Sequence, residues 1–317
     1  MAGQPAIEVT VIGGYLGAGK TTLLNHLLAA HRPTHAGDRL AVLVNDFGDI
    51  NIDESLVRSR SDDTIELANG CICCSLVDGF AAALDQIASL NPRPSRLLVE
   101  TSGVADPASV AAYAHAPGFY LGAVAVLADT EQVMEQRHDR FIGTTVERQL
   151  ASADLVVLNK ADLCSAEDVA RVREWLGSVA PRAALIEVEH GRVDPNLLFS
   201  PAVGEDRPAP TGPIDGDPHA HHESWSWVWD GGESLDRVRH AVESMPEEVW
   251  RAKGIVWCEA DDGGRHWLVQ RVGRRTTAVA WKVEAGEHPR SRLVAIGQPG
   301  AIGDDWWWDQ LGGRQAP

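Results

Sequence analysis

The sequence predicts an α/β fold: a mostly parallel sheet wrapped by helices and opened by a phosphate-binding loop, followed by a small α+β C-terminal domain. Three observations predict it. Between residue 7 and about residue 190, short apolar runs alternate with stretches of helical spacing. The runs are continuous rather than alternating, so each strand is buried on both faces, as in a parallel sheet covered by helices. The first run ends in Gly13-Gly-Tyr-Leu-Gly-Ala-Gly-Lys-Thr-Thr22, a glycine-rich loop at the junction of a strand and a helix.

In chain order, Ile7–Ile12, Leu40–Val44, Arg96–Val99, Ala123–Leu127, Asp154–Leu158 and Leu185–Val188 read as strands. Thr22–Ala30, Asp78–Leu90, Pro107–His115, Thr145–Ala151 and Ser165–Val179 carry helical spacing between them. Residues 200–223 exchange apolar residues for proline, glycine and acids, the composition of a linker. Beyond it, Ser224–Trp229, Lys253–Glu259, His266–Val272, Thr277–Val283 and Arg292–Ile296 read as strands and Ser234–Met245 as a helix. Ten of the eleven tryptophans follow residue 224, and this composition shift supports three segments: 1–199, 200–223 and 224–317. The tail holds Trp306, Trp307 and Trp308 in succession. Packing on the C-terminal domain is the expectation, with an aromatic patch for a partner as the alternative.

With 317 residues, 44% of them hydrophobic, the chain can bury a sizeable core. Its net charge of −17, from 45 acidic and 28 basic residues, opposes nonspecific binding to nucleic acid or an anionic bilayer and favours cationic ligands. No apolar run approaches the roughly 20 residues of a membrane span. The start, Met1-Ala-Gly-Gln-Pro-Ala6, has neither the basic flank nor the apolar stretch of a secretion signal, so a cytoplasmic location is expected. Three of the five cysteines are Cys71, Cys73 and Cys74, a cluster unlike the framework of a secreted disulfide protein.

Gly14, Gly19, Lys20 and Thr21 fit G-x-x-x-x-G-K-[ST]. Backbone N–H groups from Gly14 through Gly17, Ala18 and Gly19 to Thr22 would close around phosphate oxygens, Lys20 would reach the β and γ phosphates, and Thr21 would ligate Mg²⁺. The Mg²⁺ shell needs a carboxylate at the end of another strand. Leu97-Leu-Val-Glu100-Thr-Ser-Gly103 supplies Glu100, with Gly103 placed to sense the γ-phosphate through its N–H. Leu155-Val-Val-Leu-Asn159-Lys160-Ala-Asp162 follows as a base reader. Asp162 can accept from both N1–H and the exocyclic amine of guanine, while Asn159 and Lys160 brace the loop and cover the ring, so GTP is favoured over ATP. Together these elements make the α/β part a P-loop GTPase domain.

Cys71, Cys73 and Cys74 can converge on one thiophilic cation such as Zn²⁺. A redox pair of Cys71 and Cys74 and buried inert thiols are the other readings. A closed zinc site needs a fourth ligand, and neither Cys164 nor Cys258 has a second cysteine at C-x-x-C spacing. Asn45-Asp46-Phe-Gly-Asp49-Ile-Asn-Ile-Asp53 suits a loop that rearranges with the γ-phosphate and offers carboxylates to Mg²⁺ or the cargo ion, although a solvated acidic turn has the same composition. His219, His221, His222 and Glu223 suit weak metal capture in the linker, with a solvated segment as the alternative. Cys164 and Cys258 read as packing residues, and His26 and His115 as structural or exposed.

This combination resembles the CobW-like GTPases, a family of P-loop GTP-dependent metal chaperones and insertases. Gly13 to Thr22 looks like the family's phosphate loop, Asn45-Asp-Phe-Gly48 its first switch and Cys71-Ile-Cys-Cys74 its C-x-C-C motif. Glu100-Thr-Ser-Gly-Val-Ala-Asp-Pro107 resembles its second magnesium and γ-phosphate element, Asn159-Lys-Ala-Asp162 its guanine reader, and residues 224–297, with Arg251-Ala-Lys-Gly254, its C-terminal domain. Asp46 and Asp49 stand where the family pattern has glutamate. The resemblance implies GTP hydrolysis with Mg²⁺ through Lys20, Glu100 and Asp46, coupled to moving Zn²⁺ or Co²⁺ from the cysteine motif to a client metalloprotein. A GTP-dependent switch or metal sensor that controls a protein partner is the alternative.

Overall fold

A computed structural model describes residues 6–31, 39–44, 64–68, 76–199, 223–230, 232–259, 264–281, 290–303 and 305–311. The chain divides into two compact units, Met1–Ala202 and Val203–Pro317.

The first unit is built on seven strands: β1 (Ile7–Gly14), β2 (Leu40–Val44), β3 (Thr64–Ala68), β4 (Arg96–Glu100), β5 (Phe119–Asp129), β6 (Leu155–Asn159) and β7 (Ala184–Val188). They lie in the order β3-β2-β4-β1-β5-β6-β7, and every pair is parallel. The expected strand set is present, with one addition. β3, whose Thr64-Ile-Glu-Leu-Ala68 mixes polar and apolar residues, has no continuous apolar run to announce it. β1 and β5 also extend past their apolar centres, to Gly14 and to Phe119 and Asp129.

The helices of this unit are α1 (Lys20–Ala30), α2 (Leu76–Ser89), α3 (Pro107–Tyr113), α4 (Val133–Gln136), α5 (Gly143–Ala151), α6 (Ala166–Val179) and α7 (Pro195–Leu198). Side chains fix several starts. Asp106 caps α3 by accepting from the Ala108 N–H, with Pro107 at the first helical position, and Ser165 caps α6 by accepting from the Asp168 N–H. The core between sheet and helices is mostly aliphatic, with Ile7, Val9, Val11, Leu97, Val99, Val126, Val156 and Leu158 buried on the strands and Phe80, Phe119 and Trp175 beside them. α1 buries Leu23, Leu24, Leu27 and Leu28, and each such side chain contributes roughly 1.5–3 kcal/mol on leaving water. The chain lays β4 on one side of β1 and β5 on the other. The crevice at the carboxyl ends of these strands is therefore a topological switch point, where α/β sheets bind ligands.

The second unit is a five-stranded antiparallel sheet, in the order β11-β10-β9-β12-β8. Its strands are β8 (Glu223–Asp230), β9 (Val249–Cys258), β10 (Arg265–Val272), β11 (Arg275–Trp281) and β12 (Arg290–Gly297), with helices α8 (Leu235–Glu243) and α9 (Trp306–Gln310). β9 begins four residues before the expected Lys253, through the mixed stretch Val249-Trp-Arg-Ala252. The tail tryptophans pack as expected. Trp307 is fully buried and Trp308 nearly so, and Trp307 stacks on Trp227 with centroids 5.8 Å apart while meeting Trp229 at 5.5 Å. Among the described residues, no helix is long and apolar enough to cross a membrane.

Candidate functional site

The site begins where β1 stops and α1 starts. Gly19 has φ 102° and Gly14 φ 134°, in the left-handed region that glycine tolerates and other residues do not. A Cβ on Gly19 would strike the Asn159 amide, and one on Gly14 the Leu127 carbonyl, so neither position accepts another residue without displacing its neighbour. The loop closes through the Ala18 N–H, which donates to the Tyr15 carbonyl at 3.2 Å. The buried Lys20 folds back over it and donates from Nζ to the same carbonyl at 3.4 Å. No described side chain caps the start of α1. Its first N–H groups and the positive end of its dipole thus face the loop, as an anion site requires.

Thr21, one residue on, donates from Oγ1 to Glu100 Oε1 at 3.0 Å. Glu100 is the last residue of β4, buried, in register with Ile12. The strand order thus brings together two hard oxygen donors 79 residues apart, the donor type that Mg²⁺ prefers. The chain leaving Glu100 is pinned by the Thr101 N–H on the Ile12 carbonyl at 2.9 Å and by the Asp106 cap of α3. Gly103 is buried between them, against Leu16 of the phosphate loop.

Asn159 ends β6 in register with Asp129. Its Nδ2 donates to the Ala18 carbonyl at 3.0 Å, and its Oδ1 accepts from the Gly191 N–H at 2.9 Å. One buried amide therefore ties the end of β6 to the glycine loop after β1 and to the turn after β7. Lys160 takes φ 63°, and its ammonium pairs with Asp129 Oδ2 at 2.6 Å. Thr130 adds a hydrogen bond from Oγ1 to the Asn159 carbonyl at 2.7 Å. Asp162 stands exposed in the short 3₁₀ turn Ala161–Leu163. A loop of left-handed glycines, a buried ammonium, and a hydroxyl beside a carboxylate fit a magnesium nucleoside triphosphate.

Of the residues expected at the site, Gly14, Gly17, Ala18, Gly19, Lys20, Thr21 and Thr22 lie on one strand-loop-helix, with Thr22 exposed. Thr21 and Glu100 touch, and Asn159 touches the loop. Asp46, Cys71, Cys73, Cys74, His219, His221 and His222 lie outside the described residues, as does the rest of the 45–53 loop. Among the described residues, no group of three or more His, Cys, Asp or Glu side chains is placed to hold a metal. His26 is structural, its Nε2 donating to the Val193 carbonyl at 3.0 Å. Cys258 is buried in the second core, and burial together with Glu233 pushes its thiol up to about 11. The half-buried Cys164 thiol is also pushed up, by burial first and then by Glu131, Asp168, Asp129 and Asp162. Both stay neutral thiols and neither is an activated nucleophile.

Two residues of the site escaped the sequence reading. Asp129 closes an apolar strand just as Glu100 does, and that placement was the available signal. Gln149 is a buried amide on α5, between Val146 and Leu150, and it donates from Nε2 to the Gly103 carbonyl at 3.1 Å and the Ala105 carbonyl at 2.7 Å.

A parallel sheet with a glycine cradle, a buried lysine and a strand-end carboxylate at its switch point defines a P-loop nucleotide-binding domain. Residues 8–187 match the family described as CobW/HypB/UreG, nucleotide-binding domain, and residues 222–305 match the cobalamin synthesis protein cobW C-terminal domain. The chain belongs to this family. It is 31% identical to the zinc chaperone CobW of a Sinorhizobium species, over 93% of this chain and 94% of the relative. It is 30% identical to the zinc chaperone YjiA of Escherichia coli K12, over 92% and 94%. Among solved structures, the Zn(II)-bound YjiA GTPase of E. coli aligns over 99% of this chain and 100% of its own at 26% identity, with a TM-score of 0.44.

Proposed function

We propose that this protein is a GTPase that binds a divalent metal, zinc foremost with cobalt as the alternative, at Cys71, Cys73 and Cys74, and releases it to a client metalloprotein in the cytoplasm when GTP is hydrolysed. Residues 1–199 are the GTPase domain, 200–223 the linker and 224–317 the C-terminal domain. The observation that carries the nucleotide half is the Asn159 amide bonded to the phosphate loop at Ala18, which supports a base reader and a phosphate loop tied to each other. Family membership and the zinc-chaperone relatives support the metal half.

The chain's own residues divide the work. Lys20 and the N–H groups of the loop hold the β and γ phosphates, offsetting the charge that moves onto them as the terminal phosphoryl leaves. Thr21 and Glu100 would hold Mg²⁺, which would supply positive charge to offset that of the phosphates. Gly103 contacts the terminal phosphate through its N–H, and Asp46 lies on the loop that closes over it. Asp162 selects guanine, held in place by Asn159 and by Lys160 on Asp129. Loss of the terminal phosphate removes a contact made only in the GTP state, and that differential contact is what can shift a metal site between two affinities.

The test is metal affinity of the purified protein, by competition titration with Zn²⁺ and Co²⁺, loaded with GDP or with a nonhydrolysable GTP analogue and Mg²⁺. Tighter binding with the analogue, abolished by Cys73→Ser with Cys74→Ser, is expected. Equal affinities in the two nucleotide states would sink the coupling and leave the regulatory switch as the better account.

A further inference from the structure

Gln149 has no part in the phosphate, magnesium or base contacts, yet it is among the most deeply buried polar side chains of the first unit, 2% exposed. It sits on the inner face of α5, flanked by the core residues Val146 and Leu150. Burying an amide is unfavourable unless its hydrogen bonds are made. Here both donors of Nε2 are committed to one short turn: the Gly103 carbonyl at 3.1 Å and the Ala105 carbonyl at 2.7 Å. The amide has one workable orientation, because turning it over would set its own oxygen against two carbonyl oxygens.

That turn is the chain that leaves Glu100. Its start is fixed by the Thr101 N–H on the Ile12 carbonyl, its end by the Asp106 cap of α3, and its middle by Gln149. A peptide group is planar and trans, so the Gly103 carbonyl held toward α5 turns the Val104 N–H the other way, and the Ala105 carbonyl does the same to the Asp106 N–H. Gln149 thereby fixes the peptides that follow Gly103 and Ala105, and it acts on the Gly103 N–H, which belongs to the preceding peptide, by holding the Gly103 backbone from its carboxyl side.

We infer that Gln149 is a positioning residue for the γ-phosphate contact: it holds the Gly103–Ala105 turn in the orientation that distinguishes GTP from GDP. The inference rests on the reading of Gly103 as the group that meets the terminal phosphate. A residue with this role acts on the triphosphate state alone, because the β-phosphate contacts come from the loop and Lys20, which Gln149 does not touch.

The experiment uses the full chain with Gln149→Met, which keeps the length and apolar stem and removes the donors, and Gln149→Glu, which keeps the shape and sets acceptors against the two carbonyls. Affinities for GDP and for a nonhydrolysable GTP analogue, both with Mg²⁺, are measured for each variant and the wild type, beside thermal unfolding midpoints. Losing two buried hydrogen bonds to the turn should reduce the analogue-to-GDP affinity ratio about tenfold in Gln149→Met and further in Gln149→Glu, with GDP affinity held within about twofold. If either variant fails to fold, the other carries the comparison. A ratio equal to wild type, or a proportional loss for both nucleotides, overturns the role of Gln149. A wild type that does not distinguish the analogue from GDP overturns the reading of Gly103 itself, and the inference with it.

Discussion

The two sheets place their polar residues in opposite ways. In the parallel sheet, the strand centres are mostly aliphatic, with Glu8 and Thr10 on β1 as buried polar exceptions, and the residues of the candidate site collect at the carboxyl ends: Gly14 on β1, Glu100 on β4, Asp129 on β5 and Asn159 on β6. In the antiparallel sheet, buried polar side chains run along the strands, with Arg251 and Lys253 on β9 and His266 and Gln270 on β10 all below a tenth exposed. By strand alternation these four share one face, and the other carries the tryptophan core of Trp225, Trp227 and Trp229 against Trp307 and Trp308. The difference teaches where each unit is sensitive. The first concentrates its candidate site in a row of strand ends. The second spreads its stability over large aromatic contacts remote in sequence.

The sharpest break of this contrast is Trp307→Ala. Emptying a fully buried indole site costs about 3–5 kcal/mol, and it should lower the denaturant midpoint of the second unit while nucleotide affinity, read by fluorescent GDP titration, stays at the wild-type value. Affinity falling in step with stability would mean that the division of labour is wrong. Lys20→Ala is the mirror experiment. Removing the buried ammonium should slow GTP hydrolysis by about 100-fold or more, a barrier change of about 3 kcal/mol, with the unfolding midpoint nearly unchanged. A variant that hydrolyses normally would remove Lys20 from the site. Asn159→Ala tests the seam between phosphate loop and base reader. Loss of hydrogen bonds to Ala18 and Gly191 should weaken GTP by about 30-fold, equivalent to about 2 kcal/mol. If GTP and ATP weaken equally, Asn159 supports the phosphates alone.

The same contrast explains what the sequence made legible. The strands of the first sheet are short continuous runs such as Leu40-Ala-Val-Leu-Val44, and two-faced burial writes itself directly into composition. The phosphate loop, Glu100 and the Asn159 turn were legible because their residues must stand at fixed spacing on consecutive backbone positions. Asp129 was not, since its partner Lys160 is 31 residues away and a single acid after a strand has no spacing to match. Gln149 was harder still. Its partners are backbone carbonyls 44 and 46 residues away, and carbonyls leave no trace in the residue alphabet. In the second unit, the tryptophan pattern announced a core, but the helix Trp306–Gln310 depends on tertiary packing of those rings more than on helix-forming residues.

The smallest expected effect separates the two units by pH. Cys258 lies in the tryptophan core, and burial, reinforced by Glu233, raises its thiol from 9.0 to about 11. The folded state thus favours the neutral thiol more strongly than the unfolded chain does. Below pH 9 the thiol is protonated in both states and the contribution is fully present. As pH rises from 9 toward 11, the unfolded chain releases its proton first, so folding stability falls through that window. At pH 10 the loss should be about 1 kcal/mol. Measured as the difference between wild type and Cys258→Ala, whose cavity penalty does not titrate, it should be seen in the second unit alone. The first unit's described thiol, Cys164, is half-buried and also pushed up, so its substitution should change the alkaline stability curve of its unit in the same direction but, in a turn rather than a core, by less. Parallel curves for wild type and Cys258→Ala would mean that the tryptophan core holds the thiol in a wetter setting than its burial indicates.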